Sequence, residues 1–249
     1  MTFSRRKMLA AGTGGLLVSA CDRLGENATF RGILTQANDL HRPAQRLITG
    51  REALAREFAE SQMSPNFRAN GNTEADDQAY RDHLAGGFKG WALEIDGLVR
   101  QAISLPLAAL QAIPQRTQIT RHDCVEGWSA IGKWQGPQLG TILALAGLLP
   151  SAKYAVFHCA DRFGTTPYYE SIDLVDAFHE QTILAWRMND QPLPVAHGAP
   201  LRLRAEKHLG YKQAKYVMRI ELVASLTGLY GGKGGYWEDH SGYQWYAGI

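Results

Sequence analysis

Hydrophobic and polar residues alternate over 91–96, with Trp91, Leu93 and Ile95 on one side and Ala92, Glu94 and Asp96 on the other. A period of two marks a half-buried strand, and Asp96-Gly97 then offers a turn. Strands are likewise predicted at 118–122, 153–159, 182–188, 201–203 and 216–223, with a turn at Asn189-Asp190. In 153–159 both faces are apolar: Ala155 and Phe157 on one, Tyr154 and Val156 on the other. The period lengthens to that of a helix at Leu139, Ile142, Leu143, Ala146 and Leu149, and Pro150 ends it. Shorter helices are predicted at 51–60, where Leu54 and Phe58 share a face, and at 105–110, with Ser104 as cap. Strands and helices interleave without strict alternation, which predicts an α+β fold of mixed sheets with interleaved helices. No Gly-x-Gly-x-x-Gly follows a strand, so a nicotinamide or flavin fingerprint is absent.

Residues 1–21 read as an address rather than as part of the fold. Ser4-Arg5-Arg6-Lys7-Met8-Leu9 places paired arginines ahead of a short apolar stretch, the pattern of a twin-arginine export signal. Val18-Ser19-Ala20-Cys21 resembles a lipobox, which would make Cys21 the lipid-bearing first residue of the mature chain. The expected location is periplasmic or on the outer face of the inner membrane, held by lipid alone. The alternatives are an ordinary secretory signal with two arginines and a soluble cleavage site with a stray cysteine. The rest divides into an N-terminal extension (22–90), a core (91–223) and an aromatic, Gly-rich tail (224–249).

The composition, 45% hydrophobic and 20% charged, is ordinary for a globular chain. A net charge of +2 without long basic runs gives no reason to expect a nucleic-acid partner. With Cys21 assigned to processing, Cys124 and Cys159 remain, and in an oxidising compartment two cysteines suggest a disulfide. Cys124 follows a predicted strand, and the adjacent Arg121 and His122 would favour its thiolate, either a nucleophile or a soft metal ligand. That leaves open a thiol-dependent enzyme using His122 or His158, or a non-catalytic ligand-binding lipoprotein. Farther on, Arg202, Lys212 and Lys215 are separated by turns and glycine and could converge on one anion, or simply solvate a sheet face.

Cys124-Val125-Glu126-Gly127-Trp128-Ser129, with Trp134 soon after, resembles the metal-cysteine motif of the molybdopterin-binding domain in the sulfite oxidase superfamily. Pro192-Leu193-Pro194, His197-Gly198-Ala199-Pro200-Leu201-Arg202 and Gly210-Tyr211-Lys212 resemble the same domain in order and spacing. The chain is most similar to the exported bacterial branch, which includes the periplasmic methionine sulfoxide reductase catalytic subunit. The resemblance implies a sulfite-oxidase-type fold and a molybdenum-molybdopterin cofactor, one metal per chain, with Cys124 as its protein thiolate. It implies cofactor contacts at Cys159, His197, Arg202, Lys212, Gln213, Ala214 and Lys215, and a less closely matched segment with Asn66, Arg68 and Asn70. Arg121, His122 and Asp161 are candidates for orienting substrate, by their nearness in sequence to the two cysteines. The implied reaction is two-electron oxygen-atom transfer on a small, sulfur-containing substrate. Electrons would be exchanged with a separate partner, a cytochrome being the natural one, and the chain would act as a monomer. Arg68 and Ala69 stand where the reductase branch has aromatic and acidic residues, which leaves the substrate open.

Overall fold

The computed structural model describes residues 26–249. The export signal and lipobox read at 1–21 lie outside the described residues. Contacts divide the chain between Ile48 and Thr49. The N-terminal unit holds most of helix α1 (Ala28–Thr49), an amphipathic helix whose Ile33, Leu40, Leu47 and Ile48 are exposed.

The second unit is built on three sheets. The largest places β1 (Ala92–Gly97), β2 (Ile103–Pro106), β5 (Tyr154–Phe163), β6 (Thr166–Asp173) and β11 (Val217–Val223) in the order β2-β1-β11-β5-β6. β11 runs parallel to β1 and antiparallel to β5, so the last strand sits at the centre. A four-stranded sheet joins β3 (Gln115–Asp123), β4 (Ser129–Pro137), β8 (Arg187–Met188) and β9 (Gln191–Pro192), in that order. β7 (Ile183–Ala185) and β10 (Arg202–Arg204) pair as a third. This is the α+β arrangement of mixed sheets that the periodicities predict.

The alternation at 91–96 works as expected: Trp91, Leu93 and Ile95 are at most 1% exposed and join Phe157, Ile220 and Leu222 in the main core. Helix α4 (Leu139–Ala146) buries Leu139, Ile142, Leu143 and Ala146 against that core. It stops at Gly147, whose positive φ of 66° is a conformation glycine adopts without strain, before Pro150 is reached. At Asn189-Asp190 both residues have positive φ, the twist that joins β8 to β9.

Three expectations are corrected. Residues 51–60 form no α-helix: Glu57 bridges to Thr120, and the Phe58 N–H donates to the Ile119 carbonyl, so the segment borders β3 as extended chain. Only a 3-10 turn follows, at Glu60–Gln62. Ser104 caps nothing, since it lies in β2 and donates to Glu94 at 2.5 Å. Helix α3 (Leu107–Ala112) begins only after Pro106. Helix α2 (Gln78–Ala85), with the Asp77 carboxylate accepting from Tyr80 N–H, and strands β4 and β6 were not in the sequence reading.

Candidate functional site

β3 delivers the chain to Cys124, and a tight loop follows. The Cys124 N–H donates to Trp128 O at 2.9 Å and the Gly127 N–H returns to Cys124 O at 3.0 Å. This sets the thiol in the wall of a cleft shared with Asn70, Asp161, Gln213 and Lys215. The opposite wall is aromatic, made by Phe163, Tyr168, Tyr211, Trp237 and Tyr243. Burial raises the Cys124 pKa, and Arg68 opposes this only in part. The expected activation by Arg121 and His122 is therefore not found. Arg121 is exposed and pairs with Asp123 at 2.9 Å, while burial and Arg204 keep the His122 imidazole neutral.

Buried positive charge surrounds the inner end of the site. β10 alternates Arg202, Leu203 and Arg204, so both guanidiniums leave the strand on one face; each is fully buried. They lie over the Trp134 ring at 4.9 Å and 4.3 Å. Arg204 is neutralised: it donates to Glu206 at 2.9 Å and 2.6 Å and to His122 Nδ1 at 3.0 Å. Arg202 is not. It donates only to the carbonyls of His197 (3.1 Å) and Gln213 (3.5 Å), and its Nε has no partner. Lys215, 5% exposed, donates to the carbonyls of Asn70 (2.6 Å), Asn72 and Ala196 (3.1 Å). Among the described residues neither cation has a carboxylate within 4.0 Å.

The titration of this group reflects the imbalance. Burial, then Arg204, brings Arg202 down to about 9. Burial, then Arg202, brings Lys215 to about 7, and burial with Arg202 and Lys215 brings His197 to about 4. Buried cations are costly without an opposite charge. Buried atoms of His122 (Nε2), His197 (Nδ1), Gln213 (Oε1) and Asn70 (Oδ1) also lack partners. Backbone comes close here as well: a Cβ on Gly210 would lie 2.5 Å from His122 Nε2, and one on Gly198 2.7 Å from Lys215 Cβ. Unmatched cations, idle polar atoms and a nearby soft thiol fit an anionic, phosphate-bearing cofactor that also carries a metal.

Of the residues singled out in the sequence, the structure brings together Asn70, His122, Cys124, Asp161, His197, Arg202, Gln213 and Lys215. Asp161, 3% exposed, accepts from Asn72 at 3.0 Å through one oxygen; the other is unpartnered, and burial raises its pKa to about 6. The rest stand apart. Lys212 does not share in the anion cluster: it is buried between Glu170 (2.5 Å) and Glu238 (2.6 Å), on the side of the tail. Ala214 is core. Asn66 and Arg68 are exposed, the guanidinium of Arg68 lying 5.7 Å over Trp128. Cys159 packs beside the apolar clusters and does not line the cleft. Both cysteines are free thiols, so the disulfide alternative does not hold. Arg204, Phe67 and the tail's Trp237 and Tyr243 were missed as site residues. The period of two in Arg202-Leu203-Arg204 was the available signal for the first.

A family model described as the oxidoreductase molybdopterin binding domain matches residues 83–227. A putative protein-methionine-sulfoxide reductase subunit YedZ1 from Azospira oryzae is 37% identical over 246 residues, 99% of this chain and 86% of that protein. The protein-methionine-sulfoxide reductase catalytic subunit MsrP of Gluconobacter oxydans is 36% identical over 146 residues, 53% of this chain and 47% of the relative. The chain thus spans about half the length of that MsrP. In fold it is similar to the sulfane dehydrogenase SoxCD from Paracoccus pantotrophus, with a TM-score of 0.51 and 22% identity over 55% of this chain and 39% of the other. A domain match over more than half the chain and a relative aligned almost end to end agree: the chain belongs to the oxidoreductase molybdopterin binding domain family, of sulfite-oxidase type.

Proposed function

We propose that this oxidoreductase moves an oxygen atom to or from a small sulfur-containing substrate, with one molybdenum cofactor per chain. The reading is carried by Arg202 and Lys215, two buried cations with no carboxylate partner, beside a cleft walled by Cys124. Arg202 and Lys215 would hold the cofactor's phosphate, and His122, His197, Gln213 and Asn70 would meet its polar edges. Cys124 would give the metal its one protein thiolate. When bound, the cofactor supplies a two-electron centre able to accept or release an oxygen atom.

The chain's own residues do the rest. Cys124 must lose its proton to become a ligand; its raised pKa makes loading easier as pH rises. Burial raises the Asp161 pKa to about 6, so its unpartnered Oδ1 can take up and release a proton in the cleft near that pH. The aromatic wall narrows the approach and sheds water. The printed names of the YedZ1 and MsrP relatives, methionine-sulfoxide reductase subunits, support chemistry at sulfur.

A thiol enzyme pairing Cys124 with histidine fits less well. The His122 Nδ1 is engaged by Arg204, and His158 is bound to Glu221 (2.9 Å) and Tyr230 (3.1 Å). In the proposed setting the chain leaves the cytoplasm folded, by the twin-arginine route, and is anchored by lipid at Cys21. There it acts as a monomer and exchanges electrons with a cytochrome.

The test is metal and pterin analysis with turnover, in wild type and two variants. Protein from a molybdenum-replete host should carry about one molybdenum per chain. Cys124→Ser should keep the fold and lose dye-linked turnover, because a neutral hydroxyl cannot replace a soft thiolate. Cys159→Ser should keep measurable activity. Zinc or no metal in the wild type, or an active Cys124→Ser, would refute the proposal.

A further inference from the structure

The sequence singled out an aromatic, Gly-rich tail with no assigned role, and most of it lies beyond the domain match, which ends at residue 227. In the structure this segment is part of the cleft. Trp237, on helix α5 (Tyr236–Ser241), and Tyr243 line the cleft that Cys124 and Asp161 share. Their rings stack with centroids 5.8 Å apart and planes at 24°. Phe163 meets Trp237 edge-on at 5.1 Å, and Tyr211 meets Tyr243 at 5.0 Å. The hydroxyls behind them are committed: Tyr168 donates to Tyr211 O and Tyr211 to Gln244 O, each at 2.6 Å. The wall therefore offers the cleft mainly ring surface.

It is held firmly. Lys212, Glu170 and Glu238, all at most 1% exposed, tie α5 to β6. The Asp239 carboxylate accepts from the Gly231 and Lys233 N–H groups at 2.9 Å, and Trp245 Nε1 donates to Ser171 Oγ at 2.8 Å. Glycine lets the chain pass this close: a Cβ on Gly235 would lie 2.5 Å from Glu170 Oε1.

The charges of the lining point the same way. Glu126 and Asp161 face the cleft. Among the described residues its one cation is Lys215, which the reading above gives to the cofactor's phosphate. With Lys215 given to the cofactor and Glu126 paired with Arg68 at 3.6 Å, an inorganic oxyanion such as sulfite would meet the Asp161 carboxylate, whereas a neutral sulfur compound would meet polarisable rings.

We infer that the C-terminal segment is the specificity wall of the site: Trp237 and Tyr243 hold the apolar part of a neutral organosulfur substrate, and the cleft rejects inorganic oxyanions. This rests on the oxygen-atom-transfer reading above, and binding can be measured apart from turnover.

Full-length holoenzyme is titrated calorimetrically with methyl phenyl sulfide, a neutral thioether, and with sulfite, both without an electron donor. Reduction of methyl phenyl sulfoxide is then followed with a reduced dye. Trp237→Ala and Tyr243→Ala should each raise the thioether Kd and the sulfoxide KM about tenfold, the upper range for ring contacts. The kcat should stay within about twofold, and Trp237→Phe should recover most of the loss. Sulfite should bind more weakly than the thioether in every protein. An unchanged Kd and KM in both alanine variants, or sulfite binding more tightly than the thioether, would overturn the inference. If only the oxygen-transfer reading is wrong, no protein will turn over the sulfoxide, yet Trp237→Ala will still weaken thioether binding.

Discussion

Replacing Lys215 with methionine should stabilise the cofactor-free protein at low pH and destabilise it at high pH. Lys215 is a base whose pKa falls from 10.5 in the open chain to about 7 in the fold. Between those values the unfolded chain binds more protons, so stability rises with pH; below pH 7 the whole penalty for the buried charge is present. That fall corresponds to about 5 kcal/mol. Methionine removes the charge but leaves three carbonyls without their donor, at about 1 kcal/mol each. The expected balance is a gain of about 2 kcal/mol at pH 6 and a loss of about 2 kcal/mol at pH 10. Urea midpoints of cofactor-free wild type and Lys215→Met, taken at pH 6, 8 and 10, read this directly. In the loaded enzyme the sign reverses, because an anion restores the ammonium; the variant should retain cofactor about tenfold less well. A loss of stability equal at pH 6 and pH 10 would refute the claim that Lys215 is an unmatched buried charge.

Asp161 is the acid counterpart. Its folded pKa is raised from 3.8 to about 6, so the folded state holds its proton longer and stability falls as pH rises through that window. Asp161→Asn should therefore stabilise the cofactor-free protein by about 3 kcal/mol at pH 7 and leave it unchanged at pH 3, in the same urea assay. Gly235→Ala should loosen the tail by crowding Glu170 and Glu238, a cost of about 1–3 kcal/mol, seen as faster proteolysis within 229–246. Arg5→Lys with Arg6→Lys should strand the protein in the cytoplasm, and Cys21→Ala should release it from membranes, each read by cell fractionation.

The parts of the fold that were legible in the sequence are those where one face meets the core. Trp91, Leu93 and Ile95, and the helix from Leu139, show their burial in their spacing. β6 hid because Glu170 and Ser171 are polar and yet buried, bonded to Lys212, Gly234 and Trp245 from distant sequence. The pairing of Lys212 was hidden for the same reason: its carboxylate partners lie 42 and 26 residues away along the chain and cannot be inferred locally. Cys124, His197, Arg202 and Lys215 are singled out together in the sequence only by the resemblance. Spacing alone left Arg202 and Lys215 as possible surface charge. What distinguishes them is the missing carboxylate, a property of the folded state only.

The central place of β11 has a consequence for the order of assembly. Until Val217–Val223 is inserted, β1 with β2 and β5 with β6 are two separate hairpins with no strand pairing between them. Joining them requires a contact between residues more than 120 positions apart, a slow, late event in folding. Gln213 and Lys215 precede β11 directly and reach the site only as that strand docks. Closure of the sheet and the placing of Lys215 near Arg202 are thus one event. A chain stalled short of it has neither, and in the proposed reading a cofactor held by Arg202 and Lys215 would also seal the fold.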